Sequence, residues 1–178
     1  MMKITRMLVK SAFAIAVIFL NSCAFNSFNP FSEKLSPNIG RHYDPSLPVR
    51  TVRTTSYSHR EKELGNKYGA LTASGRRVRY GRVRSAAADW SRYPLGTRFK
   101  IVGQPYVYVV EDYGRSLVGT GTIDIYKPTL RMMRSWGTRY VKIQVLEWGS
   151  YKASSEILKG RLHYDHVRRM YNSIKSKS

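Results

Sequence analysis

The chain has 178 residues and carries 31 Lys and Arg against 11 Asp and Glu, a net charge of +20. That excess selects polyanionic surroundings, and a single cysteine excludes an intrachain disulfide framework. The four histidines make no metal set, since His163 and His166 flank Asp165 without a third ligand, so neither metal nor cofactor is expected.

The chain opens with the basic residues Lys3, Arg6 and Lys10, followed by nine apolar residues from Ala12 to Leu20. A membrane-spanning helix needs about 20 such residues, so residues 1–22 read as an export signal. Leu20-Asn21-Ser22-Cys23 resembles the lipobox of bacterial lipoproteins, which implies lipidation of Cys23 and attachment to a membrane through the new N-terminus. Ala24 follows where an inner-membrane retention signal has Asp, which implies an outer-membrane lipoprotein facing the periplasm. Residues 23–50 are rich in Asn, Ser and Pro without a steady period, the composition of a tether. Without the signal, 28 basic residues face 11 acidic ones, a net +17. Export makes nucleic acid an unsuitable partner and leaves envelope lipids and the cell wall as accessible polyanions. A monomer is expected.

Residues 51–149 read as one domain built mainly of strands. TVRTTSYS alternates Val52, Thr54 and Ser56 against Arg53, Thr55 and Tyr57. RFKIV alternates Phe99 and Ile101 with charged neighbours, YVYVVE is a continuous β-branched run, and YVKIQVLEW places Val141, Ile143 and Val145 on one face. The pattern predicts a short helix from about Pro128 to a stop at Gly137. Many short strands with one helix in about 100 residues suggest a small β-barrel. Residues 150–178 form a basic tail, predicted as a helix capped by Ser154 or Ser155, with Val167, Met170, Tyr171 and Ile174 on one face.

Three aspartates stand in a recognisable order: Asp89 in AAADWSRYPLGT, Asp112 in VVEDYG and Asp124 in GTIDIY, with TTSY ahead and LTASG between. This set resembles the three-aspartate (3D) domain. That domain forms the catalytic barrel of membrane-bound lytic transglycosylase A and also occurs alone in wall-associated proteins. The resemblance implies a six-stranded double-psi β-barrel with short helices, a fold shared more distantly with rare lipoprotein A. It further implies an enzyme that cleaves peptidoglycan glycan strands with a single carboxyl, which it places at Asp124.

A hydrolytic glycosidase ordinarily pairs two carboxyls. A transglycosylase instead uses the sugar's own hydroxyl as nucleophile, so one residue serves first as acid and then as base. Such an acid must hold its proton near neutral pH, against a reference value near 3.9. Burial and a neighbouring carboxylate both raise it, and Asp112 is the expected catalytic neighbour. Thr55 and Tyr57 are candidates for touching substrate, although a tyrosine there equally suits a barrel core. Tyr113 suits stacking on a sugar face or ordinary packing. Asp89 suits either a sugar contact or a backbone-capping Asx turn.

This chain departs from the family pattern in four places. DYGRSL replaces DTGGAI, bringing in Tyr113 and Arg115; Asp112 and Asp124 are one residue further apart than the pattern implies; Thr122 stands where Arg often precedes the Ile-Asp pair; and no room is expected for the second domain that walls the transglycosylase groove. The Tyr113 and Arg115 intrusion and the missing groove domain favour the other expectation, a non-catalytic wall-binding or envelope-organising lipoprotein.

Overall fold

The computed structural model describes residues 45–61 and 70–177. The export signal, Cys23 and most of the tether lie outside the described residues. Six strands form a closed barrel: β1 (Val49–Tyr57), β2 (Val83–Ala87), β3 (Arg98–Ile101), β4 (Val107–Asp112), β5 (Ile123–Tyr126) and β6 (Arg139–Glu147). Their order around the barrel is β1-β5-β2-β4-β3-β6. The β1/β5 and β2/β4 pairs are parallel and the other pairs antiparallel. The protein is therefore mainly β, as the alternating runs imply.

Alternation decides which side chains fill the barrel. On β1, Val52 and Thr54 are buried while Arg53 is exposed. On β5, Ile123 and Ile125 are fully buried and Asp124, pointing the other way, is half-buried. Phe99 stacks on Tyr108 at 5.3 Å, and Ile101, Val110 and Ile143 are buried on the same face. β2 is less evident in the sequence because its VRSAA is poor in the branched residues that favour strands. It sits between β5 and β4, where Ala86 and the following Ala88 are wholly buried.

β1 begins two residues before the expected domain boundary. The preceding turn is held by Gln144, whose Nε2 donates to Leu47 O at 3.0 Å. The predicted short helix is α1 (Leu130–Trp136), capped by Thr129, whose Oγ1 accepts from Met132 N, and ended by Gly137 at φ +59°. Pro128 thus precedes the cap instead of entering the first turn.

The tail corrects the prediction of one helix. It forms α2 (Tyr151–Lys159) and α3 (Asp165–Lys175), broken after Lys159 by Gly160, which lacks the side chain that favours continuation. Ser150, not Ser154 or Ser155, caps α2 by accepting from Ala153 N. Ser154 lies inside the helix, where its hydroxyl accepts from Leu95 N at 2.9 Å and ties the tail to the barrel. Leu158, Val167, Met170 and Ile174 are buried beneath these helices, so the tail is packed.

Candidate active site

Strand register assembles the site. On the outer face of the barrel Thr55 pairs with Asp124, Asp124 with Ala87, and Ala87 with Asp112. Residues in register share a face, so four side chains from four strands form one row. The Cα atoms of Asp124 and Asp112 are two strand spacings apart, roughly 10 Å, with only the methyl group of Ala87 between them. A bulge sets this arrangement. β2 runs against β4 as Ala86 to Val110 and then Ala87 to Asp112, so Glu111 has no partner in the ladder. Glu111 is buried, 1% exposed, where Arg79 pairs with it at 2.7 Å and Ser85 donates to it at 2.8 Å.

Asp124 is held by a hydroxyl. Thr55 Oγ1 donates to its Oδ1 at 2.7 Å, and neither Asp124 nor Asp112 forms an ion pair among the described residues. Burial is the largest influence on Asp124 and raises its pKa to about 6; the Thr55 bond opposes the rise, and Glu61 adds to it. Asp112 is also raised to about 6, again chiefly by burial, opposed by the Ala73 and Tyr113 amides and by Arg161, with Asp124 adding to the rise. Asp112 is the carboxylate expected to act on Asp124. Burial and Glu61 do most of that work, and the Asp124 charge is felt at Asp112.

The LTASG stretch supports Asp112 directly. Ala73 N donates to Asp112 Oδ1 at 3.0 Å, and Tyr113 N donates to the same oxygen at 2.9 Å, so Oδ2 carries no hydrogen bond from the described residues. Trp90 is fully buried and donates to Asp112 O at 2.9 Å, bracing the strand end. Next to the row, Tyr57 pairs with Tyr126 in register, with ring centroids 5.5 Å apart. The Tyr57 hydroxyl is buried without a hydrogen-bond partner among the described residues. Burial, then Asp112, then Asp124 push its pKa well above the ordinary phenol value, so it keeps its proton beside the two carboxyls.

The structure brings Thr55, Tyr57, Asp112 and Asp124 together and leaves Asp89 apart. Asp89 is 2% exposed. Its Oδ1 accepts from Ser91 N and Ser91 Oγ, and its Oδ2 from Gly119 N. Of its two expected roles, the geometry matches the Asx turn, with both oxygens engaged inside the protein. Tyr113 lies beside Asp112, but its ring packs edge-on to Trp90 at 5.0 Å and its hydroxyl accepts from Arg161 Nη1 at 3.2 Å. It joins the barrel to the α2–α3 turn.

Two neighbours of the row are not among the expected site residues. Arg53 lies one row further along β1, and its Nη1 donates to Thr122 Oγ1 at 3.2 Å. A guanidinium thus stands against position 122 although that position itself is Thr. Glu61 follows the first strand and accepts from Ser58 N at 2.7 Å. The signal for Arg53 was its place in the outward set of TVRTTSY; Glu61 had none, because its approach depends on how the chain turns after β1.

No protein-family model matches the chain, and no curated protein matches it. The chemistry is therefore argued from the row itself. A half-buried carboxyl that keeps its proton to about pH 6, with one oxygen fixed by a hydroxyl, is suited to general acid catalysis near neutrality.

Proposed function

We propose that this protein cleaves peptidoglycan glycan strands by lytic transglycosylation, with Asp124 as acid and then base. The observation carrying the proposal is the Thr55–Asp124–Ala87–Asp112 row, in which burial raises a carboxyl's pKa to about 6 on an outward-facing sheet surface. Asp124 gives its proton to the glycosidic oxygen as the bond to the anomeric carbon breaks. The C6 hydroxyl of the same sugar then attacks that carbon, and its proton goes to the Asp124 carboxylate, closing a 1,6-anhydro ring and restoring the acid. Asp112, across Ala87, faces the positive charge that develops on the sugar. Tyr57, its hydroxyl buried beside the two carboxyls, adds to the protonated surroundings of the row.

The parallel β1/β5 and β2/β4 pairs within a closed six-stranded order support the finer reading of the fold as a double-psi barrel. Export, lipidation at Cys23 and an outer-membrane position facing the periplasm belong to the same proposal and rest on the lipobox-like sequence. The test is digestion of purified sacculi by the full-length protein in detergent, with products identified by mass spectrometry. Anhydro-muropeptides that disappear in Asp124→Asn are expected. Folded protein that yields no product removes the enzymatic reading. One observation favours the non-catalytic alternative: Arg161 clamps Tyr113 and acts on Asp112, which ties that end of the row to the helical tail. A wall-binding protein would retain its capture by sacculi in Asp124→Asn and form no product.

A further inference from the structure

Beyond Arg53, the face that carries the aspartate row opens into a cleft of about 560 Å³. Four cations line it, Arg50, Arg53, Arg92 and Lys177, and no lining residue is acidic. None of the four pairs with a carboxylate among the described residues. Asp89 is not among the lining residues, and its oxygens accept from Ser91 and Gly119 instead of from a cleft cation.

Two of the cations lie against an aromatic ring and a glycine. Arg50 lies 5.4 Å from the ring centroid of Trp148, and Trp148 stacks on Tyr93 at 6.1 Å with an interplanar angle of 11°. Arg92 lies over Gly121, where a Cβ would meet its Nη1 at 2.2 Å. Gly121 has φ +69°, so a side chain there would both strain the backbone and push the guanidinium away. Asp89 fixes both sides of this contact, since it anchors the turn at Ser91 and the loop at Gly119. At the rim Tyr140 is 73% exposed and offers a bare ring. Guanidinium groups bind carboxylates strongly because their paired N–H donors match both oxygens, and an exposed aromatic face suits a sugar ring.

We propose that this cleft is a subsite for an acidic sugar chain, in which Arg50 and Arg92 hold saccharide carboxylates while Tyr140 packs against a ring. The proposal rests on reading the aspartate row as a glycan site, which makes the cleft the continuation of the same strand's path. Arg53 connects the two: it lines the cleft and lowers the pKa of Asp124 against the rise from burial. One row of outward residues on β1 separates them, roughly 7 Å.

The test uses full-length Asp124→Asn protein in detergent, so that binding is read without cleavage. Two probes of equal length are compared: the tetrasaccharide of alternating N-acetylglucosamine and N-acetylmuramic acid, which carries lactyl carboxylates, and neutral chitotetraose. The charged probe is expected to bind at least tenfold more tightly at low salt. Adding Arg50→Ala and Arg92→Ala is expected to bring it down to the affinity of the neutral probe while leaving the latter unchanged. Equal affinity for both probes before those substitutions, or a preference that survives them, overturns the proposal. Phosphatidylglycerol vesicles that displace the tetrasaccharide and lose binding in the double variant would replace the saccharide with a membrane surface. No preference in the Asp124→Asn protein, alongside anhydro product from the protein that keeps Asp124, removes only the subsite. A preference that Arg50→Ala and Arg92→Ala abolish, with no anhydro product from the protein that keeps Asp124, removes only the enzyme.

Discussion

Asp124 draws opposite influences from its surroundings: burial favours the neutral acid and Thr55 favours the carboxylate. Removing the hydroxyl with Thr55→Val should therefore move the alkaline limb of the pH–rate profile upward by roughly one pH unit, since a hydrogen bond to a charged group contributes about that much. An unchanged limb would mean that Thr55 does not act on the catalytic proton. The same physics governs stability. Both carboxyls are raised from 3.8 to about 6, so the folded chain binds their protons more tightly than the unfolded chain does. Their contribution to stability is fully present below about pH 4 and is lost as pH rises through about 6. Asp124→Asn should accordingly stabilise the fold at pH 7, by on the order of 1–3 kcal/mol, and have little effect at pH 3.5. Thermal melts at the two pH values check this, and destabilisation at pH 7 would contradict the account of burial.

Among the elements, β1, β3, β4 and β6 announce themselves by alternating or continuous branched residues, and α1 by its Gly137 stop. β2 does not, because alanine carries little strand signal, and its position between β5 and β4 is a long-range fact. The candidate site is half legible for the same reason. GTIDIY reveals that Asp124 opposes two buried isoleucines, whereas the alignment of Asp112 with Asp124 requires the bulge opposite Ala86 and Ala87. Asp89 follows a legible turn motif whose purpose, anchoring the Gly119 loop, is visible only in three dimensions. Asp89→Ala would strand the Ser91 and Gly119 amides, costing about 2–4 kcal/mol and loosening Arg92. Denaturant unfolding checks the first effect and charged-tetrasaccharide binding the second. Gly149 joins β6 to α2 where a Cβ would come within 2.2 Å of Leu95 O and 2.4 Å of Pro94 O. Gly149→Ala should therefore cost about 1–3 kcal/mol and speed amide exchange in α2 and α3 before the barrel strands.

Across the protein, the +20 charge is not spread as a uniform coat. Four cations converge on one cleft beside the aspartates, and others lie on the packed tail. Capture by sacculi should therefore weaken as salt rises from 0.05 to 0.5 M, because screening shortens from more than about 10 Å to less than about 8 Å. Pull-down across that range checks it; salt-independent capture would mean that charge contributes little. The closed barrel has a mechanical consequence as well. β1 is where the preceding chain enters the domain, and it also carries Thr55, Tyr57 and Arg53. A pull from that side loads the ladders to β5 and β6 lengthwise, and their hydrogen bonds, lying across the strand, must yield together instead of unzipping singly. The strand that bears traction is thus the one whose slippage would ruin the row, so tension sufficient to disarm the acid must first break both seams.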